Sequence, residues 1–504
     1  MPRYKPAQRN GLFIPVVLEE QIQPGTFEFA LHHLVDDELD LTPLDAKFRN
    51  DATGASAYDP RVMLKIVLLA YSRGLITSRK IEAACEHNVL FMALSGDARP
   101  SYTHIAKFVR ELGPQIGALF TQVLVTCDRL GLIGGTMFAI DGVKLPANAS
   151  KEKSGTHAEL AHRADRLDKA AAKIVALHQA QDEHGEPLDT QRQARIDELR
   201  KEAQATREFI ATSAKRTNRK GQELKTNVTD LDSAKMATSK GVIQGYAAQA
   251  AVDSAHQIIV AADIIGSGSE QAMLLPMIEQ AAPVREAHTL ITADAGYFSD
   301  DNVRALHGQG IPALIADNGM RRRDERFADQ AKHKAQGEVL YDKRAGTKPI
   351  RLFKPEDFSF HDERTASCPA GKTLTGNGAT YGQRGHRFQR YEADAQDCAA
   401  CALRRQCLRN PSATRGRQVA RFEPRAPDKQ HPSARMRNAI DSPRGRALYS
   451  RRIATVEPVF ANIRHHKRMN RFTLRGKTKV ATQWQLYCLV HNIEKIATQA
   501  MRAH

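Results

Sequence analysis

Three carboxylates stand where they could do chemistry together. Asp141 follows the apolar residues "FAI", Asp294 follows "LITA", and Glu457 lies in a helix-like stretch among basic residues. Burying an unpaired carboxylate costs about 3 kcal/mol or more, so an acid at the end of a buried strand needs a partner. Asp294 is not required as a helix cap, because Ser299 and Asp300 stand closer to the helix that follows.

These three acids predict a site for divalent cations. We expect the ends of neighbouring strands to bring Asp141 and Asp294 together, and the late helix to lay Glu457 over them. Three converging carboxylates repel one another unless cations lie between them, and hard oxygen ligands suit Mg²⁺ or Mn²⁺. Two such ions about 4 Å apart can activate a water or a 3′-hydroxyl at a phosphodiester and stabilise the leaving oxygen.

The charge distribution indicates a polyanionic partner. The 504-residue chain carries a net charge of +17, and residues 413–480, with 18 Lys/Arg and 4 Asp/Glu, supply +14 of it. A basic excess concentrated in one segment favours a surface that contacts phosphates. Because the sequence shows neither an apolar run long enough for a bilayer nor a signal-peptide pattern, we expect a cytoplasmic protein.

Strand and helix patterns explain how the acids could be positioned. The stretch "GTMFAIDGVKL" (135–145) predicts a strand that ends at Asp141, and residues 289–294 predict another. The runs "GYAAQAAVD" and "QIIVAADII" predict a β-hairpin between them, and helices at about 269–282 and 299–309 lead to strands at 289–294 and 311–317. Antiparallel strands followed by βαβ units indicate a mixed sheet with helices on its faces.

The rest of the chain is mainly helical or without a clear period. Residues 1–130 predict helices, one of them beginning at Pro60, in either a helix-turn-helix or a plain bundle. Two coiled-coil seams within 155–212 predict an inserted αα-hairpin. No strong period appears from 318 to about 440, and two helices follow, the first kinked at Pro458.

The seven cysteines fall into two groups. An odd number of thiols in a cytoplasmic protein argues against a disulfide framework. Three lie in apolar helical stretches and are expected in the core: Cys85, Cys127 and Cys488. The other four have a spacing that fits four-ligand Zn²⁺, although they could also be small buried apolar residues: Cys368, Cys398, Cys401 and Cys407.

Four stretches resemble the DDE transposases of bacterial insertion sequences, which have a ribonuclease-H-like catalytic domain: "FAIDGVKL", "GYAAQAAVD…QIIVAADI", "TADAGYFSD" and "YSRRIATVEPVFANIRHHK". The stretch "AYDPRVMLKIVLLAYSRGLITSRKIEAACEHNVLFMALSG" resembles the helical N-terminal domain found on many of these proteins. The resemblance rests on the order of the motifs and on their spacing, with 153 residues from Asp141 to Asp294 and 163 from Asp294 to Glu457.

The resemblance implies that the three acids are catalytic and bind Mg²⁺ or Mn²⁺. It assigns DNA contacts to four residues around the glutamate: Tyr449, Arg452, Arg464 and Lys467. The family motif is Tyr, two residues, Arg, three residues, Glu, six residues, Lys. Here Arg452 lies one residue too far from Glu457, and Arg464 takes the Lys position with Lys467 one turn on. Arginine still binds phosphate, and more rigidly than lysine does.

The implied α/β architecture has four parts: a helical N-terminal DNA-binding domain (1–130), a ribonuclease-H-like mixed sheet flanked by helices (131–317 and 440–504), a helical hairpin inserted at 151–225, and a basic Cys-rich insertion at 318–439. The Cys-rich insertion resembles one that carries such a cluster in similar transposases.

The implied function is DNA transposition. Such a protein binds the terminal inverted repeats of its own element as double-stranded DNA, cleaves it by metal-dependent hydrolysis, and transfers the freed 3′ ends to target DNA. We expect a homodimer on DNA, associated with the bacterial nucleoid. The alternative is a decayed or repurposed transposase that binds DNA without cutting, although the three acids are intact. A haloacid-dehalogenase-type phosphatase is excluded, because that class needs an Asp where this chain has Val143.

Overall fold

The computed structural model describes residues 15–47, 56–181, 188–218, 221–238, 241–327, 352–383, 386–423 and 431–503. The chain divides into two structural units, the first made of Met1–Leu340 and Arg435–His504 and the second of Tyr341–Ala434. None of the helices in these described ranges is both long and apolar enough to span a bilayer.

The α-helices of the described residues are α1 (Phe27–His33), α2 (Thr42–Asp45), α3 (Pro60–Ser72), α4 (Ser78–His87), α5 (Val89–Ser95), α6 (Tyr102–Glu111), α7 (Gly113–Arg129), α8 (His157–Gln181), α9 (Thr190–Thr212), α10 (Leu274–Gln280), α11 (Asp300–Gly308), α12 (Ala395–Ala399), α13 (Arg404–Cys407), α14 (Pro432–Asp441), α15 (Pro443–Ala461) and α16 (Lys477–Ala503). The β-strands are β1 (Met137–Pro146), β2 (Ser154–Gly155), β3 (Thr226–Asn227), β4 (Ala234–Thr238), β5 (Gly241–Asp253), β6 (Ile259–Ile265), β7 (Leu290–Ala293), β8 (Ala313–Ile315), β9 (Ser359–Phe360), β10 (Thr365–Ser367), β11 (Thr373–Gln383), β12 (His386–Ala393) and β13 (Gln418–Phe422).

The first unit contains the predicted mixed sheet. Its strands run in the order β4-β5-β1-β7-β8, and β6 also pairs with β5. β5 is antiparallel to β1, β4 and β6, whereas β7 is parallel to both β1 and β8. The predicted hairpin and βαβ units are therefore confirmed, and β1 lies in the middle of the sheet.

The sequence predicted that β1 ends at Asp141. This prediction is wrong, because β1 continues to Pro146. The reason lies in its two neighbours, which differ in length. β7 ends at Ala293, opposite Ile140, whereas the thirteen-residue β5 goes on pairing with β1 as far as Pro146. Asp141 is thus at the end of the sheet only on the β7 side.

The N-terminal helices pack against the last helix of the chain. Asp59 caps α3 by accepting a hydrogen bond from the Arg61 backbone, and Pro60 is the first helical residue, as predicted. α1, α3 and α7 contact α16, where the rings of Tyr71 and Tyr487 stack with centroids 4.6 Å apart. These helices share one hydrophobic core with the mixed sheet.

The inserted hairpin is formed by α8 and α9. Seven of the ten seam residues that the spacing predicts are buried: Leu160, Ala164, Ala171, Ile196, Leu199, Ala203 and Thr206. The other three, Leu167, Ile174 and Ile210, are half-buried. β2 and β3 pair at the base of this hairpin and return the chain to the sheet.

Pro458 lies inside α15 without ending the helix. A proline cannot donate to the carbonyl four residues before it, which here belongs to Ala454. The Gln257 side chain donates to that carbonyl instead, at 3.3 Å. A π-helical turn, Asn462–His466, then follows α15.

The second unit is a five-stranded antiparallel sheet in the order β13-β12-β11-β10-β9, which the sequence did not reveal. Few residues of its two longest strands, β11 and β12, are buried, and its hydrophobic core is small. That core consists of Phe358, Ala366, Leu374, Tyr391, Ala393 and Val419.

Candidate active site

The parallel pairing of β1 with β7 places two acids side by side. Ile140 lies opposite Ala293 in the last pair of this ladder, so Asp141 and Asp294 follow it side by side, and the charge of Asp294 acts on Asp141. The residues that precede them are buried, whereas the side chain of Asp141 keeps 21% of its surface exposed. The predicted meeting of these two acids is what the pairing produces.

The turn after Asp294 fixes its carboxylate. Its Oδ1 accepts a hydrogen bond from the Gly296 backbone at 2.8 Å, and its carbonyl accepts one from the Tyr297 backbone. The next helix, α11, is capped by Ser299, whose side chain accepts from the Asn302 backbone. Asp294 therefore does not cap α11, as the sequence indicated.

Arg452 forms an ion pair with Asp141. Its Nη1 donates to Asp141 Oδ2 at 2.7 Å, and its guanidinium lies 5.6 Å from the centre of the Tyr449 ring. Arg452 is buried, and within the described part of the chain its Nε has no hydrogen-bond partner. This contact ties α15 to the middle of the sheet.

Burial and neighbouring charges act on this pair in opposite directions. Burial raises the pKa of Asp141, the Arg452 guanidinium opposes that rise, and the negative charge of Asp294 adds to it. Burial lowers the pKa of Arg452, but the charge of Asp141, the hydrogen bond to Asp141 and the charges of Tyr449 and Asp294 together outweigh burial, so this pKa is raised. The site therefore favours a cation beside Asp141.

Sequence reasoning missed a further carboxylate, that of Glu270. It lies just before a 3₁₀ turn, Gln271–Met273, that leads into α10. Burial raises the pKa of Glu270, and the charge of Asp294, together with the weaker influence of Asp141, adds to the rise. The only signal in the sequence was an acid in the polar stretch "GSGSEQ" before a helix, which is more often a solvated loop residue.

Among the described residues, Glu457 does not complete a three-acid site with Asp141 and Asp294 that could hold a metal ion. It is exposed, whereas Arg452, Thr455 and Val456 on the same helix are buried. Five residues of α-helix rotate a side chain by about 140° from the starting face, so α15 cannot turn both Arg452 and Glu457 toward β1. The expected convergence of three named acids is therefore seen for Asp141 and Asp294 only.

The four predicted DNA-contacting residues differ in exposure. Arg464 is exposed, and Tyr449 is half-buried. Lys467, which we expected to face phosphates, is fully buried, and its Nζ donates to Glu494 Oε2 at 2.6 Å. A buried, paired ammonium cannot reach a DNA backbone, so the structure corrects the placement of Lys467. Arg452 is also buried, and it is paired with Asp141.

The residues around Asp141 suit a divalent cation in kind. Among the described residues, no three His, Cys, Asp or Glu side chains already stand in positions from which they could hold one metal ion. The donor set is nevertheless carboxylate oxygen, which Mg²⁺ and Mn²⁺ prefer. Gly142 and Gly296 have no Cβ atom, which leaves space beside the carboxylate oxygens of Glu270 and Asp294.

The four late cysteines of the second unit converge on one cavity of about 30 Å³. All are free thiols, and the Arg417 backbone donates to Cys398 Sγ at 3.4 Å. Burial raises the pKa of Cys407, and the charges of the other three thiols, Cys368, Cys398 and Cys401, add to the rise. Four thiols around one cavity are of the donor type that structural Zn²⁺ takes.

Three family models match the chain. Residues 16–111 match a "Transposase domain (DUF772)", and residues 212–364 and 367–497 each match a "Transposase DDE domain". Asp294 and Glu270 lie in the second match and Glu457 in the third, whereas Asp141 lies between the first and the second. No curated protein matches the chain.

The mixed sheet with two acids at neighbouring strands is that of a ribonuclease-H-like DDE fold. Together with the three matches, which cover about three quarters of the sequence, it shows that the chain belongs to the DDE transposases of insertion sequences. The family and fold class predicted from the sequence are confirmed.

Proposed function

We propose that the chain binds the terminal inverted repeats of its own insertion sequence, cleaves DNA there and joins the freed ends to target DNA. In the first reaction a water oxygen attacks a phosphorus atom and displaces the 3′ oxygen, leaving a 3′-hydroxyl and a 5′-phosphate. In the second, that 3′-hydroxyl attacks a target phosphodiester and displaces another 3′ oxygen. Bound divalent ions would activate the attacking oxygen and stabilise the leaving one.

The observation that carries this proposal is the pairing of Ile140 with Ala293, which sets Asp141 and Asp294 side by side. Both carboxylates are preorganised, because each Oδ1 accepts a backbone hydrogen bond from a nearby glycine, Gly142 or Gly296. These two acids would hold Mg²⁺ or Mn²⁺.

Arg452 would keep Asp141 neutralised until DNA arrives. Its guanidinium already occupies one oxygen of Asp141, and a phosphate of bound DNA offers it a competing bidentate partner. Transfer of Arg452 to the phosphate would free that carboxylate oxygen for a cation. This role explains why a residue assigned to DNA is buried against an acid.

Glu457 is our proposed third acid on the strength of the family resemblance. It is the sole acidic residue between Pro443 and Val480 in the sequence, and it is exposed beside basic residues. Because Arg452 anchors the same helix, release of Arg452 would allow α15 to turn toward Asp141. The exposed cations of this region that would contact DNA are Arg444, Arg451, Arg464, Arg468, Arg471, Arg475, Lys477 and Lys479.

The Cys-rich unit would bind one structural Zn²⁺ through the four thiols that line its cavity. This unit has a small hydrophobic core, and small domains of that kind often depend on a metal for stability. Zinc content by elemental analysis should survive Asp294→Asn and be lost in Cys401→Ser. Zinc that remains in Cys401→Ser would contradict this assignment.

The experiment that tests the proposed function compares cutting with binding on one DNA duplex carrying an element end. Asp294→Asn removes a carboxylate but no basic residue, so it should keep DNA affinity and its salt dependence while abolishing cleavage in Mg²⁺. Asp301→Asn is a matched control, because this exposed acid lies in the first turn of α11, outside the cluster. Gel shifts and strand-cleavage assays provide the two readouts.

Wild-type protein that binds element ends but never nicks them would contradict the proposal. The buried Arg452–Asp141 pair would then be permanent, and the chain would be a repurposed DNA-binding protein. For the active enzyme we propose a homodimer assembled on DNA at the bacterial nucleoid.

A further inference from the structure

The Glu270 side chain lies close to the turn that carries Asp294. If a Cβ were added to Gly296, it would lie 3.0 Å from Glu270 Oε2 and 2.9 Å from Asp294 Oδ1. The two oxygens can therefore be at most about 6 Å apart, the sum of these distances. A divalent ion bound to both at about 2.0–2.6 Å requires the two oxygens to be no more than about 4–5 Å apart, a separation within this upper limit.

The other oxygen of Glu270 faces β1. A Cβ on Gly142 would lie 2.7 Å from Glu270 Oε1 and 2.5 Å from the side-chain nitrogen of Gln249. Because successive residues of a strand point to opposite faces, Glu270 approaches β1 from the face opposite the Asp141 side chain. Asp294 thus has Asp141 as its neighbour in the sheet and Glu270 as its neighbour at the turn.

A buried chain of side chains holds Glu270 in this position. Gln249 is fully buried and donates from Nε2 to Glu270 Oε1 at 3.4 Å, while its Oε1 accepts from the Tyr297 hydroxyl. Trp484 Nε1 donates to the Gln249 carbonyl at 2.8 Å. Tyr297 is itself fully buried and belongs to the turn that carries Asp294.

This chain accounts for the sequence "DAGY" at 294–297. The glycine leaves room for two carboxylates, and the tyrosine orients the amide that holds the second one. A buried amide whose two ends are both satisfied keeps one orientation, since turning it over would leave polar atoms unpaired. The turn after Asp294 therefore positions two acids rather than one.

We propose that Glu270 is a further carboxylate ligand of the divalent ions, paired with Asp294, and that Tyr297 and Gln249 are its positioning residues. The inference rests on the proposed function, because it needs Asp294 to be a ligand. It assigns a metal-binding role to an acid outside the three that the family resemblance names.

Metal affinity of the full-length protein without DNA tests this inference directly. Mn²⁺ is the probe, since its binding can be followed by electron paramagnetic resonance and by calorimetry without any cleavage, and it prefers oxygen ligands to thiols. Glu270→Gln should lower Mn²⁺ affinity by at least about tenfold, the effect of losing one ligand-supporting contact or more. The control is Glu279→Gln, the same substitution at an exposed acid on α10, and it should leave the affinity unchanged.

Tyr297→Phe and Asp294→Asn distinguish a metal-binding role of Glu270 from a structural one. Tyr297→Phe retains every carboxylate but releases Gln249, so it should weaken Mn²⁺ binding by a smaller factor than Glu270→Gln, with a similar melting temperature. If Asp294→Asn weakens Mn²⁺ binding and Glu270→Gln does not, Glu270 is only a partner of Gln249 and the inference is wrong. If neither variant changes the affinity, the cation site of the proposed function itself fails.

Discussion

Gly296→Ala should separate catalysis from folding. The backbone at Gly296 lies outside the left-handed region in which side chains are strained, and the residue is exposed. The added methyl group would nevertheless lie 2.9 Å from Asp294 Oδ1 and 3.0 Å from Glu270 Oε2. Since ordinary contacts with a methyl carbon are about 3.5 Å or longer, each oxygen must move by about 0.5 Å.

The magnitude follows from how sensitive catalysis is to position. A displacement of about 1 Å can cost about 100-fold in rate, so half of that should cost about tenfold or more in DNA cleavage. Folding should change little, because the crowded atoms are ends of flexible side chains and alanine has less conformational freedom in the unfolded chain. We expect the free energy of unfolding to change by less than about 1.5 kcal/mol.

The assay pairs single-turnover cleavage with urea unfolding of the same protein samples. Gly308→Ala is the matched control: it ends α11, and an added Cβ would have no atom within 4 Å. This control should cleave normally. Gly296→Ala that cleaves at the wild-type rate would refute the reasoning, because the two carboxylates would then not need their observed positions.

Three further predictions concern the parts of the first unit that support the site. His491 is buried, and burial, aided by the charge of Lys467, lowers its pKa to about 3. Between about pH 6.5 and pH 3 the folded state therefore binds fewer protons than the unfolded state, so urea unfolding should show stability falling by about 1.4 kcal/mol for each unit by which the pH is lowered. His491→Gln should remove this loss. Gly117→Ala, at an exposed position inside α7 with open space around the added Cβ, should raise the free energy of unfolding by about 0.5–1 kcal/mol. Lys467→Gln should cost about 2 kcal/mol or more, because it breaks the buried ion pair with Glu494 and leaves that carboxylate, among the described residues, only the hydrogen bond from Asn462. It should keep the salt slope of DNA binding, whereas Arg464→Gln should keep stability and reduce that slope by about 0.9.

The local patterns of the sheet were readable from the sequence. The run "LITA" before Asp294 is four apolar or β-branched residues, too short for a helix and followed by a turn, so the strand and its terminal acid could be predicted. The same reasoning placed Asp141 after an apolar run. It misplaced the end of β1, because that end depends on the length of β5, whose pairing is a long-range property.

Other features depend on contacts that no local pattern records. Glu270 reaches the site through Gln249, which lies on a neighbouring strand and has no catalytic signature of its own. Lys467 reads as part of a basic surface, but Glu494, twenty-seven residues later on α16, draws it into the core. The strands of the Cys-rich unit carry polar residues on much of both faces, so the alternation that marks a strand is weak there.

The central claim, that a divalent ion binds between the ends of β1 and β7, can be tested by letting the ion mark its own position. Fe²⁺ substituted for Mg²⁺ and treated with ascorbate and peroxide generates hydroxyl radicals that cut the nearby backbone, and terminal tags locate the cuts. We predict cuts close to Asp141 and to the 294–296 turn, a further cut near Glu270, and their suppression by excess Mg²⁺. Cuts confined to the neighbourhood of Glu457, or a cutting pattern that Asp294→Asn leaves unchanged, would contradict the claim.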